Sequence, residues 1–195
     1  MLLTLSAATF AADDGQAFAP CRACHGDRGE GNPALNAPAI AGQDAAYLER
    51  QLLNLRAGRR GTHPSDTNGA QMRAIALSLS DSQATQLARY AASLPKTVIA
   101  TPVRGDLHDG NNLYQGKCSA CHGVTAEGNA ALKAPRLAGL DAIYIRRQLA
   151  NFRNAVRGTN PQDLQGRQMA MMAQTLPGER EVDDVIAFIQ QQGRT

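Results

Sequence analysis

Two short motifs hold the residues of this chain that could do chemistry. Cysteine and histidine recur in C-x-x-C-H order at two places, Cys21, Cys24 and His25, and Cys118, Cys121 and His122. Two thiols about one helical turn apart can bond the two vinyl groups of one porphyrin, while the adjacent histidine ligates its iron. This spacing is typical of covalent c-type haem attachment, and it uses every cysteine of the chain. The sequence therefore predicts two covalent haem c groups.

Other uses of paired cysteines explain the motifs less well. A thioredoxin-like redox pair needs a strand before its cysteines, and a zinc site would recruit both pairs as four thiolates. An even cysteine count in a small exported protein is also compatible with disulfides. None of these alternatives requires a histidine directly after each pair, so haem attachment is favoured.

The sequence after each motif repeats for about sixty residues without a gap. The offset is the distance from Cys21 to Cys118, which is 97 residues. The matching segments are Gly29–Asn32 with Ala126–Asn129, Ala37–Gly42 with Ala134–Gly139, Tyr47 with Tyr144, Arg50–Leu52 with Arg147–Leu149, Arg60–Thr62 with Arg157–Thr159, and Gln71–Met72 with Gln168–Met169. A gapless repeat of this length indicates a duplicated domain. We assign residues 13–95 to an N-terminal domain, 96–106 to a linker and 107–195 to a C-terminal domain.

Each copy has the pattern of an all-α domain. A short helix ends in each C-x-x-C-H motif, and a loop rich in Gly, Pro and Asn follows it. Asp44–Leu55 and Asp141–Phe152 each open with an aspartate N-cap and carry apolar residues at helical spacing. A last helix begins at Ser80 in the first copy and has its counterpart around Val182–Ile189 in the second. No segment alternates as a strand would, so no strands are expected.

The second axial position of each iron decides whether a haem binds gas, catalyses a reaction or only exchanges electrons. The repeat nominates Met72 and Met169, whose neutral thioethers favour ferrous iron. The alternative is that these methionines fill the core. Met171 and Met172 lie close enough in sequence to Met169 to compete for the same iron.

Each iron-ligating histidine also needs a partner for its second ring nitrogen. A carbonyl that accepts this N–H fixes the tautomer and raises the basicity of the ring. Pro38 and Pro135 follow their histidines by the same interval and could offer that carbonyl, or could simply stiffen the loop. His63 and His108 do not recur in the repeat and are expected at the surface.

The two propionates of each haem need cationic partners where they are buried. Four arginines follow the amphipathic helices at matching positions and could contact propionates: Arg56, Arg60, Arg153 and Arg157. Solvated surface charge is the alternative for each of them.

The paired motifs and the segments A-P-x-(I/L)-A-G, Y-x-x-R-Q-L and R-G-T, with one recurring methionine, resemble those of the dihaem cytochrome c4 family from Gly15 to the C-terminus. The resemblance implies two class I cytochrome c domains related by a pseudo-twofold axis, each enclosing one covalently bound haem c. It also implies His/Met ligation in both, by His25 with Met72 and His122 with Met169. The sequence departs from the family at Pro20, directly before the first motif, and at Pro177–Gly178, where the first copy has Ser80–Asp81.

Composition and charge limit the cellular compartments and the classes of partner that are expected for this chain. The net charge of +3 is spread evenly, with nine basic and eight acidic residues before Thr97 and eleven and nine after it, which disfavours nucleic acid as a partner. Leu2–Phe10 is apolar and precedes Ala11–Asp13, as in part of an export signal. We therefore interpret residues 1–12 as a signal-peptide remnant and expect a periplasmic protein.

Three functions are compatible with these residues. The first is an electron carrier with no small-molecule substrate, which passes electrons from a quinol:cytochrome c oxidoreductase to a terminal oxidase or reductase and meets the membrane surface only through such partners. The second is the dihaem subunit of a larger oxidoreductase, such as a flavocytochrome c sulfide dehydrogenase with its flavoprotein. The third is an enzyme or sensor, a dihaem peroxidase or gas-binding protein, which the paired methionines disfavour.

Overall fold

The structure, a computed structural model, describes residues 15–99, 101 and 103–194. The interpreted signal remnant, residues 1–12, lies outside them. Within the described residues the secondary structure is helical, and extended pairing is limited to two isolated bridges, Asn32 with Ala37 and Asn129 with Ala134. The prediction of an all-α chain is confirmed. Among the helices described, none has the length and apolar character that crossing a membrane requires.

The N-terminal half is helical at residues 15–17 and then forms further helices and a short 3-10 turn. They are α1 (Ala19–His25), the 3-10 turn Pro33–Leu35, α2 (Ala45–Arg56), α3 (Thr67–Leu77) and α4 (Asp81–Ser93). Pro20 lies in the first turn of α1, where its missing N–H breaks no helical hydrogen bond. The Asp44 carboxylate caps α2 by accepting the Tyr47 N–H at 2.7 Å.

The C-terminal half repeats this order of helices. Its helices are α5 (Leu107–Lys117), α6 (Ser119–His122), α7 (Ala142–Arg153), α8 (Leu164–Ala173) and α9 (Glu179–Gln192). Asp141 caps α7 as Asp44 caps α2, through the Tyr144 N–H at 3.0 Å. Helices α5, α7 and α9 pack together around the main apolar core, and α8 packs on α7.

The two domains meet through reciprocal contacts. Arg50 Nη2 donates to the Lys133 carbonyl at 2.7 Å, and Arg147 Nη2 donates to the Asn36 carbonyl at the same distance. The repeat offset maps the first pair onto the second with the domains exchanged. Such exchange is the mark of an isologous interface, so the domains are related by a pseudo-twofold axis.

Candidate haem sites

The motif helices end on their histidines and turn them inward. Helix α1 ends at His25 and α6 at His122, and both imidazoles are buried. Nδ1 of His25 lies 2.8 Å from the Pro38 carbonyl oxygen, and Nδ1 of His122 lies 2.9 Å from that of Pro135. A ring that donates from Nδ1 keeps the Nε2 lone pair for a metal. Burial lowers the pKa of both histidines, against an opposing effect of the carbonyl contact, so the neutral ring is favoured.

A glycine in each loop allows the proline to approach the histidine. The Gly31 N–H donates to the His25 carbonyl at 2.7 Å, and Gly31 has a φ of 89°. A Cβ there would lie 2.5 Å from the Ala39 nitrogen. Gly128 has the same role after His122, with a φ of 87°. A side chain at either position would displace the loop segment that carries the proline.

The four cysteines lie beside these histidines, and none of them forms a disulfide. Cys21 and Cys118 are half-buried, whereas Cys24 and Cys121 are exposed. Burial raises the pKa of the Cys21 thiol and raises that of Cys118 to about 11. Among the described residues no three Cys, His, Asp or Glu side chains converge as a metal site, so the four thiols are not arranged as a zinc site would require.

An apolar cleft opens directly over the second motif. It spans about 1320 Å³ including its mouth, and its lining includes Cys118, Cys121, His122, Pro135, Leu137 and Met169. Met169 packs against the apolar core, whereas Met171 and Met172 are 65% and 40% exposed. Met172 also reaches the cleft. A cleft with two thiols and a neutral imidazole beside a thioether has the lining that a haem c needs, so the residues fit this group.

Met72 occupies the matching place in the first copy. It lies half-buried in α3, the counterpart of the α8 helix that carries Met169. His63 and His108 are both exposed. The His63 side chain forms a hydrogen bond within its own loop, where Nδ1 accepts the Ser65 N–H at 3.2 Å.

The four arginines considered for propionate contacts divide into two kinds. Arg56 pairs with the Asp81 carboxylate and also donates to the Leu79 carbonyl at 2.8 Å. Arg153 pairs with Glu179 at 2.9 Å. Both of these guanidinium groups therefore have carboxylate partners at the surface of their own domain.

Arg60 and Arg157 instead meet at the domain interface. Arg60 Nη1 donates to Gln51 Oε1 at 2.9 Å, and Arg157 Nη2 reaches the same oxygen at 2.7 Å from the other domain. Gln148 Oε1 accepts from Arg157 Nη1 at 2.6 Å. No carboxylate lies within salt-bridge distance of either arginine among the described residues, and both Nε atoms are buried without a partner. An anion such as a haem propionate would stabilise two cations held this closely.

Four further residues belong to this interface cluster, and the sequence indicated them only as members of the repeat: Tyr47, Gln51, Tyr144 and Gln148. Burial raises the pKa of Tyr47, which keeps its hydroxyl protonated. The only sign of these residues in the sequence was their recurrence at the repeat offset. A repeat alone does not show which of its matched residues contact each other between the domains.

Comparisons with known proteins identify the family that shares this arrangement. The sequence model of the cytochrome c family matches residues 12–95 and again 107–193. Cytochrome c4 of Azotobacter vinelandii is 35% identical over 180 residues, 84% of each chain. The thiosulfate dehydrogenase electron acceptor of Stutzerimonas stutzeri (strain A1501) is 32% identical over 158 residues, 75% of this chain and 68% of that protein. The crystal structure of reduced recombinant cytochrome c4 from Pseudomonas stutzeri matches with a TM-score of 0.73 and 29% identity, covering 92% of this chain and 97% of that one.

These similarities extend across both motifs and both domains, and they agree with the reciprocal interface. Each domain match contains one C-x-x-C-H motif, which accounts for two covalent haem c groups. The chain belongs to the cytochrome c4 family, as an electron-transfer protein with two tandem cytochrome c domains.

Proposed function

We propose that this protein is a periplasmic electron relay in which each iron is held between a histidine and a methionine, His25 with Met72 and His122 with Met169. The observation that carries the proposal is the shared cleft: His122 and Met169 line one apolar cavity together with both cysteines of the second motif. The bound haem supplies a one-electron ferrous–ferric couple. Two residues of the chain would hold each iron in this arrangement, which would leave no site on the iron for a substrate.

The chain's own residues hold and tune that couple. The carbonyls of Pro38 and Pro135 keep the Nδ1–H of each histidine and raise ring basicity. The methionine thioethers favour the ferrous state. The apolar lining around Met169 excludes water, which reduces the reorganisation that accompanies each change of charge.

The interface arginines support transfer between the two domains. Arg60 and Arg157 come from different domains, share one glutamine oxygen and have no carboxylate partner within salt-bridge distance among the described residues. We assign them to the propionates of the two haems, which these arginines would hold at the domain interface. Arg56 and Arg153 already pair with Asp81 and Glu179, and their propionate role has less support.

Removing methionines one at a time tests the ligand assignment. Met169→Ala should open the C-terminal iron, so that the dithionite-reduced holoprotein forms a carbon monoxide adduct on one of its two haems. Met171→Ala and Met172→Ala are matched controls on the same helix and should leave the spectrum unchanged. Met72→Ala should open the other iron. An adduct in the unmodified protein would instead favour the peroxidase or sensor function.

Two electron-transfer routes are candidates, and they differ in the electron donor and acceptor. One is the soluble route from a quinol-oxidising complex to a terminal oxidase or reductase. The other is service to a dedicated dehydrogenase, which gains support from the similarity to a thiosulfate dehydrogenase electron acceptor. Fractionation of cells tests the periplasmic location. Co-purification distinguishes the partners, because a stable complex with a dehydrogenase, flavin-containing or not, would favour the second route.

A further inference from the structure

The domain interface departs from its pseudo-twofold symmetry at the contact between Gln43 and Arg136. The repeat offset maps Ala39 onto Arg136 and Gln43 onto Leu140. On one side of the interface, Ala39 is buried in the same apolar cluster as Leu140. On the other side, Gln43 and Arg136 make hydrogen bonds. The same two positions of the fold therefore carry buried apolar residues on one side and a polar contact on the other.

The polar contact joins a side chain of one domain to the backbone of the other. Gln43 Nε2 donates to the Arg136 carbonyl at 2.9 Å, and the Arg136 N–H donates to Gln43 Oε1, also at 2.9 Å. Gln43 is 4% exposed and Arg136 7%. The glutamine amide thus satisfies both backbone groups of one buried residue, which fixes the position of that residue between the domains.

The Arg136 guanidinium is a buried cation whose partners are carbonyl groups. It donates to the Ala138 carbonyl of its own domain and to the Ala41 carbonyl of the other domain, the latter at 3.2 Å. No carboxylate lies within salt-bridge distance of it among the described residues, and its Nε has no partner. Burial lowers the pKa of Arg136, but an arginine remains charged in proteins. A positive charge whose protein partners are carbonyl groups is therefore held inside the interface.

This charge lies on the loop that supports the C-terminal histidine. Arg136 directly follows Pro135, whose carbonyl contacts His122. Its neighbours on both sides, Pro135 and Leu137, line the C-terminal cleft. The N-terminal loop has the uncharged Ala39 at the same place.

We propose that Arg136, positioned by Gln43 of the other domain, raises the reduction potential of the C-terminal haem. The inference rests on the haem sites proposed above. A ferric haem carries one more positive charge than a ferrous haem, so a fixed cation in a poorly screened environment favours the reduced state. The N-terminal domain thereby tunes the haem of its partner domain through Gln43 and Ala41.

Redox titration of holoprotein variants tests the charge. The haems are followed separately by the shifted methyl signals in proton NMR spectra. Arg136→Ala, which copies Ala39, should shift the reduced-to-oxidised ratio of the C-terminal haem about tenfold toward ferric, or about 59 mV for one electron, with a smaller shift at the N-terminal haem. Arg136→Lys keeps the charge and should restore most of the potential. Equal shifts at both haems, no shift, or failure of lysine to restore the potential would overturn the proposal.

Two further variants separate positioning from general damage to the interface. Gln43→Leu, which copies Leu140, keeps the charge but frees it to move toward water, so it should lower the C-terminal potential by part of the Arg136→Ala effect. Arg59→Gln removes an exposed interdomain bond, from Arg59 Nε to Gln162 Oε1 at 3.0 Å, and should change neither potential. An unchanged potential in Gln43→Leu would remove the positioning role. Failure of the haem sites themselves would show separately, as fewer than two haems per unmodified chain.

Discussion

The last helices of the two domains occupy equivalent places but fill them differently. Helix α9 buries a layer of large aliphatic side chains, Val182, Val185, Ile186 and Ile189. With the one-residue insertion near Gly178, the corresponding residues of α4 are Ala84, Leu87, Ala88 and Ala91. Three of the four aliphatic positions are thus reduced to alanine. The same fold is built once with a substantial side-chain core and once, in its described part, with a small one.

The aromatic contacts, by contrast, are alike. Phe18 and Tyr90 have ring centroids 5.1 Å apart, and Tyr114 and Phe188 have theirs 5.0 Å apart. The difference between the domains therefore lies in their aliphatic side chains and includes the layer on the last helix. Because small domains have little apolar surface to bury, the N-terminal domain should depend more on its haem for a core.

Preventing haem attachment should expose this difference most strongly. In Cys21→Ala/Cys24→Ala we expect the N-terminal domain to lose its cooperative unfolding transition, because alanines on α4 leave too small an apolar core. In Cys118→Ala/Cys121→Ala we expect α5 and α9 to remain partly protected. Amide hydrogen exchange measured by mass spectrometry reports both domains in one experiment. Equal loss of protection in the two variants would contradict a difference in core size.

A single core position can be exchanged between the domains. Ile186→Ala copies Ala88 and should lower the free energy of unfolding of the C-terminal domain by about 2–5 kcal/mol, because it removes buried methyl groups and leaves a cavity. Ala88→Ile should destabilise the N-terminal domain by about 1–3 kcal/mol through overpacking. Chemical denaturation of the holoproteins checks both values. A stabilising Ala88→Ile would show that the N-terminal core has unfilled space.

The helices and the local contacts of this fold could be predicted from the sequence, because they depend on residues close in the chain. The interpretation of Asp44 as an N-cap was confirmed, with α2 beginning at Ala45. The 3-10 turn at Pro33–Leu35 was not predicted, since its cap comes from a single asparagine side chain in a loop.

The interface could not be predicted, because it depends on how two domains dock. Sequence reasoning treated Arg56 and Arg60 alike, as possible propionate contacts. The structure separates them by their partners, a carboxylate for Arg56 and residues of the other domain for Arg60. The contact between Gln43 and Arg136 joins residues 93 positions apart, and no periodicity or local motif indicates it.

The starts of the last helices provide a smaller test. Helix α4 begins with a capping box, in which Ser80 and Gln83 each bond the other's backbone N–H, at 3.2 and 2.8 Å. Helix α9 begins at Glu179, and Gly178 in the N-cap position provides no side-chain cap. Ser80→Ala should cost about 1 kcal/mol, whereas Gly178→Ser should gain a few tenths. Thermal unfolding of each variant checks the signs. A loss from Gly178→Ser would mean that the new Cβ, 2.9 Å from Glu181 Oε2, displaces more than that side chain.

The surface ion pairs should show the smallest effect, and the same effect in both domains. Arg56 with Asp81 joins α2 to the first turn of α4, and Arg153 with Glu179 joins α7 to the first turn of α9. The acidic side chains are 80% and 76% exposed, so water and salt screen both pairs. Asp81→Asn and Glu179→Gln should each cost less than about 1 kcal/mol, and less still at high salt. Denaturation at two salt concentrations checks this. A large cost in one domain alone would show that a surface ion pair contributes to the difference in stability between the domains. Equal small costs would instead attribute that difference to the aliphatic layer of α9.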